Sequence, residues 1–190
     1  METVTKEEFL LGRVKYFRLI SQGAVFIHPT DTIYGIGCDA TNEVAVQRIR
    51  AIKQRAEMPF SVIAPSKRWI FENCDVAIEG EKWLDRLPGP FTLIFRLKNK
   101  QAVAAAVNLK GATLGVRIPR HWVSEAVAEL DLPVVSTSAN LSGEPYMTTL
   151  DNLDESVKQK VDFIIYEGEK SGRPSTVVKL FEKEVEVVER

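Results

Sequence analysis

Short apolar runs alternate with amphipathic helical stretches along this chain, yet several neighbouring runs are separated by too few residues for a helical crossover. Runs joined so closely can pair only antiparallel, while runs separated by a helix can pair in parallel. The pattern therefore predicts an α/β domain built on a sheet of mixed direction. With 190 residues, 45% of them hydrophobic, the chain is long enough for one substantial core and short for two, so residues 1–190 read as one domain.

Thr5 and Glu8 have capping-box spacing, and Phe9, Leu10, Val14 and Phe17 recur at helical intervals until Gly23, which predicts a first helix. Ala24-Val25-Phe26-Ile27 is continuously apolar and suits a strand buried on both faces. Asn42 caps a second helix that turns Val46, Ile49 and Ile52 inward and ends at Lys53 and Arg55. Further strands are expected at 60–64, 91–97, 113–118, 163–166, 176–180 and 185–188, and one running through the STSAN segment. Helices are expected at 67–72, 81–87, 121–130 and 152–160.

The formal net charge of −1 argues against a surface that is nucleic-acid footprint throughout, so any anion site is local. Cys38 and Cys74 form no CxxC pair, and with only His28 and His121 beside them no zinc set assembles; two buried free thiols are expected. The polar, acidic start has no apolar signal core and no run reaches membrane-span length, which predicts a soluble, cytoplasmic protein. Neither a Walker A sequence nor GxGxxG occurs.

Three segments carry chemistry. Pro133 to Gly143 runs from an apolar strand into Ser136-Thr137-Ser138-Ala139-Asn140, small side chains that donate and accept hydrogen bonds without adding charge. Such residues also build ordinary turns. Pro29-Thr30-Asp31-Thr32 is a second polar strand exit. Lys53 and Arg55 either clamp phosphate oxygens or form a solvated helix end that complements the dipole. Arg117 sits among Leu114, Val116 and Ile118, so it either points outward or is buried, where a bound carboxylate or phosphate would satisfy it. His28 and Asp31 belong to no Ser-His-acid set of credible spacing and receive no proton-transfer role; His121 reads as a helix start.

Taken in order, PTDTIYGIG, KQR, PGPFTLIF, GVRIPRH, STSANLSG and PSTVV, spanning about Gly23 to Arg190, resemble the YrdC family of threonylcarbamoyl-AMP synthases. The resemblance implies a twisted mixed sheet, flanked by helices, around a deep concave site. It also implies synthesis of L-threonylcarbamoyladenylate and pyrophosphate from L-threonine, bicarbonate and ATP with Mg2+. The product would pass to a tRNA threonylcarbamoyl transferase complex for N6-threonylcarbamoyladenosine at position 37. By position, Thr32, Arg117, Ser138 and Ser175 would contact threonine, and Lys53, Arg55, Thr113, Asn140, Thr148 and, more weakly, Arg190 would contact ATP. The expected catalysis uses no covalent or acid-base residue and no protein-held metal.

The family pattern has proline directly after its Lys-x-Arg motif, where this chain has Ala56-Glu57-Met58 before Pro59. The chain stops where longer relatives enter a linker, so it resembles the short form. Two alternatives accompany the reading: a non-catalytic module of the same fold that binds double-stranded RNA, and a carbamoyl-transfer domain of the hydrogenase-maturation kind.

Overall fold

The structure, a computed structural model, describes residues 1–182 and 184–189. The chain opens with β1 (Glu2–Val4), then α1 (Lys6–Leu11) and α2 (Arg13–Ser21). The capping box is formed: Glu8 N donates to Thr5 Oγ1 at 3.2 Å and Thr5 N to Glu8 Oε2 at 2.8 Å. The single helix expected here is two, broken at Gly12, where the Tyr16 ring lies 3.0 Å from the place a Cβ would occupy. That ring stacks on Phe9, with centroids 5.2 Å apart, so the break lets both aromatics reach the core.

There follow β2 (Phe26–His28), β3 (Gly35–Gly37), α3 (Glu43–Lys53), β4 (Ser61–Ile63), α4 (Lys67–Asn73), β5 (Cys74–Asp75), α5 (Ile78–Leu84) and β6 (Phe91–Leu97). A 3-10 turn at Ala105–Val107 leads to β7 (Thr113–Arg117), α6 (Trp122–Leu130), β8 (Val134–Ser138), α7 (Glu155–Lys158), β9 (Phe163–Ile165), β10 (Thr176–Lys179) and β11 (Glu186–Val188). α7 is shorter than the helix expected at 152–160. Asn152 instead receives Thr148 N and Thr149 N in a turn, and Asp154 caps the helix through Ser156 N and Val157 N.

Among the described residues the strands make one mixed sheet in the order β1-β9-β2-β3-β8-β4-β7-β6-β10-β11, with β5 also paired to β6. β1–β9, β9–β2, β4–β7 and β6–β10 are parallel; β2–β3, β3–β8, β8–β4, β7–β6, β5–β6 and β10–β11 are antiparallel. Alternate residues feed two cores. Ile27, Ile36, Val62, Val135 and Ile164 face one, Phe26, Ile63, Val134, Phe163 and Ile165 the other, which explains the unbroken apolar runs. Cys38 and Cys74 are free and buried, as expected.

β1, β3 and β5 escape sequence reading because each is short. In β3, Gly37 is required by crowding: a Cβ there would lie 2.8 Å from Val135 O and 3.0 Å from the His28 ring. No helix among the described residues is long and apolar enough to cross a membrane.

Candidate functional site

β8 carries both halves of the site. Ser136 pairs with Ser61 of β4, and Ser138 with Gly35 of β3, so the hydroxyl-rich end of this strand lies where the sheet passes from one neighbour to the other. A cavity of about 170 Å³ opens there. Its wall includes Thr30, Arg55, Arg117, Ser138 and Ser175, joined by Phe60, Ser61, Thr92, Ser136 and Tyr146.

The loop after β2 is organised by Thr30, whose Oγ1 donates to Ile33 O at 2.7 Å and accepts from Thr32 N at 3.1 Å. This turn aims Asp31 and Thr32 at the end of β7. Arg117 Nη2 donates to Asp31 Oδ1 at 2.7 Å and to Thr32 Oγ1 at 3.2 Å. Arg117 is thus buried rather than outward, and the carboxylate beside it is Asp31 of this chain where the sequence reading expects that of a bound ligand. Burial pulls its pKa down and Asp31 opposes that, leaving the guanidinium charged. Its Nε has no hydrogen-bond partner among the described residues.

Lys53 does not line the cavity. It is 1% exposed, and its ammonium donates to Ser138 O at 2.6 Å, Asn140 Oδ1 at 2.7 Å, Asn140 O at 2.9 Å and, more weakly, Ser138 Oγ at 3.5 Å. Burial brings its pKa down to about 7, while these oxygens favour the protonated form. Asn140 is engaged throughout: Oδ1 also accepts from Ser138 Oγ at 2.7 Å, and Nδ2 donates to Glu144 O. Lys53 and Asn140 therefore form the floor behind Ser138.

Arg55 is half-buried on the wall, donating to Pro59 O at 2.8 Å and Thr137 Oγ1 at 3.4 Å. Thr113 and Thr148 do not line the cavity; Thr113 O accepts from Asn108 Nδ2 and Thr148 Oγ1 from Asn152 Nδ2. Arg190 lies outside the described residues.

A strap, residues 167–175, contributes Pro174 and Ser175 to the cavity wall. Glu167 accepts from His121 Nε2 and Trp122 Nε1, each at 2.7 Å, and pairs with Lys170, while Tyr34 OH donates to Gly168 O at 2.6 Å. His121 caps α6 through Val123 N. Gly172 lies so close to the β2–β3 loop that a Cβ on it would be 2.2 Å from Thr32 O. The strap then delivers Ser175, whose Oγ is 2.7 Å from Thr92 Oγ1. Of the added wall residues, Thr92 is readable in the sequence because it stands inside PGPFTLIF; Ser61 and Tyr146 carry no signal separable from ordinary strand and loop residues.

The cavity thus offers two guanidinium groups and a ring of hydroxyls, fit to hold a small polar anion. Among the described residues no group of three or more His, Cys, Asp or Glu could hold a metal ion.

Residues 18–190 match the Sua5/YciO/YrdC family, described as "Telomere recombination". A protein of Methanocaldococcus jannaschii, provisionally named threonylcarbamoyl-AMP synthase, is 38% identical over 165 residues, which are 85% of this chain and 76% of the relative. The threonylcarbamoyl-AMP synthase of Vibrio vulnificus is 30% identical over 78% of this chain and 82% of its own length. The structure of P. abyssi Sua5 complexed with L-threonine superposes with a TM-score of 0.82 at 30% identity, covering 97% of this chain. This chain spans 55% of that one, little more than half its length.

Proposed function

The chain belongs to the Sua5/YciO/YrdC family, and from that premise we propose that it is an L-threonylcarbamoyladenylate synthase, a nucleotidyltransferase acting on L-threonine, bicarbonate and ATP. The observation that carries the reading is the Arg117 guanidinium. It is buried on the cavity wall and only partly occupied by Asp31 and Thr32, so a ligand carboxylate can complete its set of acceptors. A solved relative's complex with L-threonine supports an amino acid as that ligand. Ser138 and Ser175 would fix its amine and hydroxyl ends.

On this reading, threonine's neutral amine combines with carbon dioxide derived from bicarbonate, and loss of one proton leaves a carbamate. A carbamate oxygen then bonds to the α-phosphorus of ATP as the bond to the pyrophosphate oxygen breaks. Arg55 would offset charge on the triphosphate, and the hydroxyls would hold the carbamate in line. Lys53 and Asn140 would act there by keeping the Ser138 turn in shape. The strap would exclude water that hydrolyses the labile intermediates. The residues present do not form a magnesium cage: among the described residues no group of three or more His, Cys, Asp or Glu gathers to hold one, and Asp31 is held by Arg117 and Arg120 N. Magnesium would enter as the counter-ion of ATP itself.

The test is pyrophosphate release assayed with each substrate omitted in turn. Release that requires both L-threonine and bicarbonate is expected. Release that ignores either one, with tight binding of double-stranded RNA, would overturn the reading in favour of the RNA module. The acceptor of the product would be the tRNA threonylcarbamoyl transferase machinery.

A further inference from the structure

We infer that Arg50 is a positioning residue: its guanidinium fixes the loop 55–59 so that Arg55 faces the cavity. The inference rests on the reading of Arg55 as a triphosphate contact. Arg50 lies on the inward face of α3 and is 6% exposed. Its Nη1 donates to three carbonyls of the loop, Arg55 O at 3.1 Å, Ala56 O at 3.2 Å and Met58 O at 3.3 Å. Nε donates to Ala106 O at 2.7 Å and Nη2 to Val107 O at 3.5 Å, so one planar group ties the loop to the 3-10 turn.

Residues 56–59 are exposed, and Met58, the one large apolar side chain there, is 65% exposed. Beside its 3.4 Å bond to Thr137 Oγ1, Arg55 meets this short segment through both its backbone and its side chain. Its backbone carbonyl is held by Arg50, its guanidinium donates to Pro59 O, and the same guanidinium lies 5.2 Å from the Phe60 ring that Arg50 meets at 4.8 Å. Phe60, in turn, lines the cavity. Moving the loop carbonyls therefore moves Arg55.

Lysine cannot substitute. Its single nitrogen cannot span carbonyls on two separate segments, and a buried ammonium readily loses its proton where a guanidinium does not.

The test combines kinetics with proteolysis on Arg50→Lys, Arg50→Gln, Arg55→Ala and the Arg50→Gln/Arg55→Ala double variant. Both Arg50 variants are expected to raise KM for ATP about tenfold and to leave KM for L-threonine within about twofold. In the Arg55→Ala background, Arg50→Gln should add less than about twofold, because a residue acting through another has nothing left to act on. Equal rises in KM for both substrates, or full additivity, would overturn the inference by showing a general structural role.

Trypsin cleavage after Arg55, followed by mass spectrometry relative to cleavage elsewhere in the chain, reads the loop without reference to nucleotide. It should quicken about tenfold in both Arg50 variants. An unchanged relative rate overturns the loop-fixing claim. Wild-type KM for ATP in Arg55→Ala, with quickened cleavage in the Arg50 variants, overturns the role of Arg55 and leaves the claim about the loop standing.

Discussion

Asp31 Oδ1 accepts from Arg117 Nη2 at 2.7 Å while its Oδ2 accepts from Arg120 N at 2.8 Å, so one carboxylate fastens the β2–β3 loop to the end of β7. The two side chains are 10% and 7% exposed. A buried pair of this kind adds little net stability, but removing one partner strands the other charge, at a cost of about 3–5 kcal/mol. Asp31→Ala should therefore lower the unfolding free energy by about 3 kcal/mol in urea titrations. A loss below about 1 kcal/mol would mean that water reaches Arg117 freely.

Arg117→Ala and Arg55→Ala separate the two proposed ends of the site. Arg117→Ala should weaken L-threonine more than ATP, by about tenfold or more, since the carboxylate loses its fork partner. Arg55→Ala should weaken ATP more than threonine, because it removes the wall guanidinium proposed to face the triphosphate. Calorimetric titration of each ligand into each folded variant reads the crossed pattern. Equal losses for both ligands in both variants would sink the residue assignments.

Much of this was legible in the sequence, for reasons that differ from residue to residue. The continuously apolar run at β2 told of burial on two faces, because only strands between two cores carry apolar residues in succession. The polar exits at Thr30 and Ser138 did lead to one cavity. Lys53 was less readable. A cation at a helix end is solvated or buried according to what the fold stacks over it, and here the Ser138–Asn140 turn closes on it. The alternatives left open at Arg117 are resolved by Asp31, a contact 86 residues apart in sequence that no local pattern announces. Arg50 gave no signal, since its five acceptors are all backbone carbonyls.

His28 should make stability fall in mild acid. It is wholly buried, beside the Phe26 ring at 5.6 Å; Nδ1 lies 3.2 Å from Pro29 O, and Nε2 has no partner among the described residues. Since a carbonyl only accepts, Nδ1 carries the proton of the neutral ring. Burial depresses its pKa from 6.5 to about 4. Between those values the unfolded chain binds a proton that the folded one refuses, so stability is full above pH 6.5 and declines as pH falls toward 4. The contribution amounts to about 3 kcal/mol at the lower end. The difference in unfolding free energy between wild type and His28→Phe, followed from pH 7 to pH 4, should shift by that amount against wild type. A constant difference would show that His28 does not resist protonation.

Gln54→Gly should stabilise the protein without touching a side chain of the core. Gln54 ends α3 in the left-handed region, with φ 51° and ψ 42°, and its exposed side chain makes no contribution to the cap, which is closed by its own N–H on Arg50 O and Ala51 O. A residue with a Cβ is strained there by about 1 kcal/mol, whereas glycine adopts this conformation without steric cost. Glycine also gains freedom in the unfolded chain, which takes back part of the gain. The expected net effect is an increase of about 0.5 kcal/mol in unfolding free energy, read as a higher urea midpoint at unchanged m-value. A lower midpoint would mean that flexibility at the end of α3 loosens the loop carrying Arg55, and the same variant would then show faster trypsin cleavage after that residue.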